Sequence, residues 1–130
     1  MAAASRPVEG RRLPRVRRIT RDSEIRTLMK RGKRSGTRHL DVFDSASPVA
    51  HPRIGVVVPR YRHTAVARNL VRRRLREALR TEVLPELAVR GCNRDVLVRA
   101  RREAYGAGYQ DFRNELLAWL ERRCSPGSSS

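Results

Sequence analysis

Cysteine is nearly missing from this chain, and what there is forms no motif. Cys92 and Cys124 stand without a second thiol or a histidine at metal-ligand spacing. That spacing gives neither a zinc ribbon nor a disulfide framework, and reduced, structural cysteines are the expectation. Long apolar runs are missing too. No stretch approaches the roughly 18 residues of a membrane span, and the N-terminus has no apolar core of a secretion signal, so no membrane role and a cytoplasmic site of action are expected. The Arg-rich start loosely resembles an organelle transit peptide, but it lacks serine enrichment and carries Glu9.

Acids are the next scarcity, with thirteen Asp and Glu in all. Hydrolysis on two metal ions needs converging carboxylates, and Asp41 and Asp44, although able to alternate along a strand edge, make no such cluster. No metal or cofactor bound by the protein alone is therefore expected. Gly106 and Gly108 flank Ala107 with no following Gly-Lys pair, which excludes a phosphate-cradling loop. His39, His51 and His63 sit apart from any cysteine or carboxylate at ligand or triad spacing and read as surface residues. His63 alone lies in a basic stretch.

What is abundant is positive charge. Thirty Lys and Arg give a formal charge of +17, a self-repulsion that a polyanionic partner relieves. All but Lys30 and Lys33 of these cations are arginine, whose planar fork grips phosphate and stacks on bases. A genome-wide bias accounts for the choice of Arg over Lys, not for the charge. The cations are also concentrated: thirteen against three acids up to Arg38, and eight against one from Arg60 to Arg80. Two dense blocks fit a shaped polyanion site better than a diffuse excess.

Hydrophobic residues, 39% of the chain, suffice for one modest core. Residues 1–14 read as a disordered basic tail, 15–123 as a single domain, and 124–130 as a disordered Ser-rich tail. Asp22 is a plausible N-cap for a short helix through Ile25, Leu28 and Met29, closed at Gly32. Leu40 to Phe43 reads as a strand. Arg53 to Val58, nearly continuous in Ile and Val, reads as a strand covered on both faces. A strongly helical stretch runs from about Ala65 to Leu84 and is expected to end before Pro85. Asp95 to Ala100 alternates as another strand, and Tyr109 to Arg123 places Phe112, Leu116, Trp119 and Leu120 at helical spacing. The fold class is α+β: a two-layer α/β sandwich with one small sheet of about four strands, in the order α-β-β-β-α-β-α.

The long helix carries the chemistry. At about 100° per residue, Val71, Leu75, Ala78 and Leu79 share a buried stripe. Asn69, Arg72, Arg73, Arg76 and Arg80 fall on an adjoining arc. A face built for solubility would intersperse glutamate at i, i+4, because like charges at that spacing repel. Glu77 alone does not compensate. Arginine stems often just cover apolar flanks while their heads stay solvated, but so many in nine residues point to phosphates seated between them. Phe43, among polar neighbours, reads as core or as a ring that stacks on an unpaired base.

The segment RIGVVVPRYRHTAVARNLVRRRLREALR, Arg53 to Arg80, resembles the signature region of the bacterial ribonuclease P protein family, and RITRDSEIRTLMKRGKRSGTRHLDVF, Arg18 to Phe43, is similar to that family's first helix, basic Arg-Gly turn and first strand. The resemblance spans roughly Arg18 to Arg123. It implies a monomeric accessory subunit of a ribonucleoprotein whose RNA, with magnesium, cuts the 5′ leader from precursor transfer RNA. It also implies a left-handed strand-helix-strand crossover, an exception to the usual right-handed rule. By resemblance, Arg68, Asn69, Arg72, Arg73, Arg76 and Arg80 face the catalytic RNA, and a cleft between the sheet and the first helix, with Phe43, Ile25, Met29, Arg60 and Tyr61, holds the leader. Arg18, Arg31, Lys33, Arg34 and Arg38 supply further basic contacts.

This chain departs from the family's pattern at three places. Leu70 stands where the Arg-Asn-Arg motif has its second Arg, with Arg74 one turn on as a substitute. Ile25 and Met29 replace aromatics of the leader cleft. Pro59, Arg60 and Tyr61 replace Ser-Lys-Lys, so Arg60 inherits the basic role and Tyr61 offers a stacking surface. Charge, size and architecture equally suit a small ribosomal protein clamping folded RNA. An architectural DNA-binding protein fits less well, because the basic helix has no partner helix and no dimerising heptads.

Overall fold

The computed structural model describes residues 14–124. The two tails expected to be disordered lie, apart from Pro14 and Cys124, outside the described residues. A 3-10 turn, Arg15–Arg17, leads into helix α1, Asp22–Arg31. Four strands follow in the order β1 (Lys33–Gly36), β2 (Leu40–Ala46), β3 (Arg53–Val57) and, after the main helices, β4 (Arg94–Ala100). Between β3 and β4 run α2 (Ala65–Ala78), a π-helical turn (Leu79–Val83) and α3 (Leu84–Val89). A 3-10 turn, Arg102–Gly106, and α4, Tyr109–Arg123, complete the chain. The sheet order is β1-β2-β4-β3, with β1–β2 and β2–β4 antiparallel and β3–β4 parallel.

The α+β architecture follows from the pleat of β2 and β4. Leu40 and Val42 on β2, with Val96, Val98 and Ala100 on β4, point to one face and meet Val71, Leu75, Ala78, Phe112, Leu116 and Trp119 of α2 and α4. Each such large apolar side chain contributes about 1.5–3 kcal/mol on burial, which is why this layer fixes the fold. The alternate residues Phe43 and Leu97 point to the other face, where Ile19 and Leu28 cover them and Ile25, Met29 and Val57 pack alongside. So β3 is sheltered on both faces, by α2 on one and by the N-terminal segment on the other. Gly55 permits this closeness: a Cβ there would lie 2.9 Å from Leu97 Cδ1 and 3.2 Å from Ile19 Cβ. Ile19 N–H donates to Ile54 O at 2.8 Å, and Arg18 forms a parallel bridge with Ile54. Arg18 is thereby fixed beside the sheet edge.

Lys33–Gly36 is the first of the three strands expected before α2, unplaced in the sequence because no apolar residue signals it; it forms because β2 offers a free edge. Several sequence expectations are corrected. Helicity does not stop at Pro85. Pro85 lies in the first turn of α3, where its missing N–H is tolerated, and the preceding π turn absorbs the misfit. Asp22 lies inside the first turn of α1, with Arg21 at the cap and no side-chain capping bond. The cysteines are not free: Cys92 and Cys124 form a disulfide with Cα atoms 6.4 Å apart, a pairing made by the fold across 32 residues and invisible as a motif. His39 is buried, not superficial; its Nδ1 pairs with Glu115, and its N–H donates to the same carboxylate at 3.0 Å.

Candidate nucleic-acid interface

Helix α2 starts where Thr64 Oγ1 accepts a hydrogen bond from Ala67 N–H at 3.1 Å, and its buried stripe of Val71, Leu75 and Ala78 sets the rotation of everything else. Arg68 lies at the edge of that stripe, its Nε donating to Val58 O at 2.7 Å. Asn69, Arg73 and Arg76 are exposed and Arg72 half-buried. Among the described residues none of Arg68, Arg72, Arg73 and Arg76 has a carboxylate within salt-bridge distance. Arg80 is different. Glu77, one turn back, pairs with it, which removes Arg80 from the set of uncommitted cations. Arg74, one turn beyond Leu70, donates to Ala107 O at 3.0 Å and is held against the segment leading into α4.

The crowding has an electrostatic signature. Arg76 as a residue is exposed, yet its head group shares a small cleft with Arg18, Ile19, Ile54 and Val56. Partial burial, then the charge of Arg18, then that of Arg72, lower its pKa below the ordinary guanidinium value. Arg18, Arg72 and Arg76 thus form a cationic patch that the fold tolerates without neutralising. Arg18 was singled out from sequence only as one of several basic residues; the bridge to Ile54 is what brings it to the α2 face.

The acids are elsewhere, and they are used. Asp44, with a fully buried side chain, accepts from Arg94 at 3.0 Å and from Arg123 at 2.9 and 3.0 Å. Asp95 accepts two bonds from Arg53, at 3.0 and 2.7 Å, and Glu24 a third at 3.2 Å. These hydrogen bonds, donated by Arg53 to Asp95 and by Arg123 to Asp44, raise both guanidinium pKa values above the ordinary one. Glu86 and Glu121 hold Arg90, and Glu82 holds Arg113. Among the described residues, carboxylates thus tie Arg53 between β3, β4 and α1, and Arg123 of α4 to β2, whereas Arg18 and the arginines of α2 have none within salt-bridge distance.

On the sheet face away from α2, Asp41 sits nearly buried among Arg34 at 3.1 Å, Arg101 at 3.3 Å and Arg99 at 3.4 Å. One carboxylate holds three guanidiniums, and Arg99 also lies 5.9 Å from the Phe43 ring centroid. Arg99 and Arg101 were not singled out from sequence, though the alternation Asp95, Leu97, Arg99 places them on that face. The structure brings Ile25, Met29 and Phe43 together, but as one apolar cluster, with Phe43 only 4% exposed against Leu97 and Leu28. A groove of about 310 Å3 between α1 and the sheet is lined instead by Ser23, Thr27, Arg31, Ser45, Arg53 and Asp95. Tyr61 stands apart from both, its hydroxyl donating to Ala100 O at 3.2 Å, with Arg60 exposed beside it. Lys33 and Arg38 are exposed on β1 and the turn after it. Among the described residues no group of His, Cys, Asp or Glu could hold a metal ion, and no helix is long and apolar enough to cross a membrane.

A mixed sheet carrying an arginine-rich helix with Glu77 as its single acid has the chemistry of a nucleic-acid-binding protein, and comparison with known proteins says of which kind. The sequence profile of the Ribonuclease P family matches residues 13–123, and the chain belongs to that family. The ribonuclease P protein component of Desulfovibrio desulfuricans is 39% identical over 126 residues, covering 91% of this chain and 92% of its own. That of Acidothermus cellulolyticus is 34% identical over 112 residues, covering 85% and 90%. The RNase P protein from Thermotoga maritima, at 24% identity, shares the fold with a TM-score of 0.67 over 81% of this chain and 96% of its own. The chain is the protein component of a ribonucleoprotein endoribonuclease and works with its RNA, and the matches give no support to the small ribosomal protein reading.

Proposed function

We propose that residues 15–123 act as a single RNA-binding domain in which Arg68, Asn69, Arg72, Arg73 and Arg76, with Arg18 beside them, seat phosphates of the catalytic RNA. The observation that carries this is the segregation of charge: α2 keeps guanidiniums free of carboxylates while the acids are spent elsewhere. Neutralising two polyanions at once lowers their mutual repulsion, and that is how a small basic protein assists a large RNA. The leader of precursor transfer RNA runs over the opposite sheet face, from Ile25 and Met29 past the rim of Phe43, toward Arg60 and Tyr61. Support for that path is the Arg34, Arg99 and Arg101 cluster along it. Arg31, Lys33 and Arg38 add exposed charge at its margin.

Magnesium belongs with the RNA in this reading. The donor chemistry of the protein does not suit a divalent cation, because Asp41, Asp44 and Asp95 each face guanidiniums. Cleavage is therefore the work of the RNA, with the protein as a monomeric, cytoplasmic partner that binds and positions. The test adds the protein to its cognate catalytic RNA at limiting magnesium and follows removal of the 5′ leader. A marked rise in cleavage is expected; no rise would defeat the reading.

A further inference from the structure

The connection from β3 to α2 contains two consecutive strained residues. Tyr61 has φ 48° and Arg62 φ 69°, the non-glycine residues with positive φ among those described. Left-handed backbone is unfavourable for a non-glycine residue and persists where its surroundings enforce it. Here the enforcement is visible. Tyr105 Oη donates to Pro59 O at 2.7 Å, His63 N–H donates to Arg60 O at 2.8 Å, and Arg102 lies 5.1 Å from the Tyr61 ring centroid.

The product of that strain is a ring stack. His63 lies flat on Tyr105, with centroids 3.8 Å apart and planes 7° from parallel, while Tyr61 meets Tyr105 edge-on at 6.4 Å. His63 is exposed, and among the described residues Tyr105 is the one ring stacked on it, which leaves its second face uncovered. Val66 is 79% exposed on the first turn of α2. Arg60 and Arg62 are exposed on the same connection. Arg68 and Arg72 are near enough for their charges to act on the Tyr105 phenol, whose pKa burial nonetheless raises above the ordinary value. A flat, unpartnered ring flanked by guanidiniums matches how proteins hold single-stranded nucleic acid: bases stack on aromatics and phosphates lie on cations.

We propose that the open face of His63, backed by Tyr105, stacks an unpaired RNA base whose flanking phosphates are taken by Arg60, Arg62 and the Arg68–Arg72 end of α2. This rests on the reading of α2 as an RNA-binding face. The base belongs either to the catalytic RNA or to the leader of the substrate; the stacking chemistry is the same for both.

Full-length His63→Ala and His63→Phe proteins are compared with wild type in two assays: binding to catalytic RNA alone, and holoenzyme binding to precursor with and without its leader. His63→Ala should weaken binding about five- to tenfold in one of them, His63→Phe should restore it, and the salt slope should stay unchanged because no phosphate contact is removed. Loss on catalytic RNA alone assigns the base to that RNA; loss confined to leader-bearing precursor assigns it to the leader. Wild-type affinity of His63→Ala in both assays, or a His63→Phe protein as weak as His63→Ala, overturns the proposal. Arg72→Ala is run alongside. If it loses affinity where His63→Ala does not, the stacking inference fails alone; if neither loses any, the reading of α2 fails with it.

Discussion

Replacing Arg76 by Gln should make the free protein more stable and its RNA complex weaker. The Arg76 head group is partly buried beside Arg18 and Arg72, both of which disfavour its cationic form, and it has no carboxylate within salt-bridge reach among the described residues. Arg72 is one turn away, where like charges repel by about 0.2–0.5 kcal/mol, and Arg18 adds a second neighbour of the same sign. Solvent screens these terms, because the residue as a whole is exposed. Glutamine has a helix propensity close to that of arginine, so the backbone of α2 should not respond. The expected gain is about 0.5–1 kcal/mol at low salt, a rise of roughly 2–8 °C in Tm for a domain of this size. Urea unfolding at low and high salt measures it, and the gain should shrink as salt screens the repulsion. Binding to the catalytic RNA is then followed across a salt series, where loss of one phosphate contact lowers the slope by about one unit. A destabilised protein with an unchanged slope would refute the reasoning and make Arg76 a structural residue.

Other substitutions separate the two arginine sets. Arg72→Ala should weaken RNA binding and flatten the salt slope by about one unit, whereas Arg80→Ala, already paired with Glu77, should change the slope by clearly less in the same titration. Asp44→Asn leaves Arg94 and Arg123 without their buried carboxylate and should cost about 3 kcal/mol in urea unfolding, while the RNA salt slope of the folded protein stays as in wild type. Phe43→Ala should lose about 3 kcal/mol of stability by opening a cavity against Leu97 and Leu28, and an unchanged denaturation midpoint would show the ring to be peripheral to that cluster.

The parts of the structure that the sequence made legible are those set by local period. Val71, Leu75 and Ala78 recur at helical spacing and fix which side of α2 is buried, so the arc of Arg72, Arg73 and Arg76 follows directly. Tyr109–Arg123 is equally readable, since Phe112, Leu116, Trp119 and Leu120 form one stripe. What escaped depends on contacts between distant segments. The pairing of Lys33–Gly36 with β2 is decided by an open sheet edge, not by its own residues. The disulfide between Cys92 and Cys124, the Glu115 partner of His39 and the cage of arginines around Asp41 each join elements far apart in the chain. For the same reason, the residues that the resemblance gave to a leader cleft do not all lie together. Phe43 is on the expected face but beneath other side chains, and Tyr61 is drawn to the end of β4 by its bond to Ala100.

The central claim is that the uncommitted guanidiniums of α2 are where RNA is neutralised. Arginine-selective chemical modification, read residue by residue by mass spectrometry with and without the catalytic RNA, tests it most directly. The account predicts that Arg72, Arg73 and Arg76 react freely in the isolated protein and are protected in the complex, while Arg122, exposed on α4, reacts alike in both states. Equal reactivity of the α2 arginines with and without RNA would contradict it.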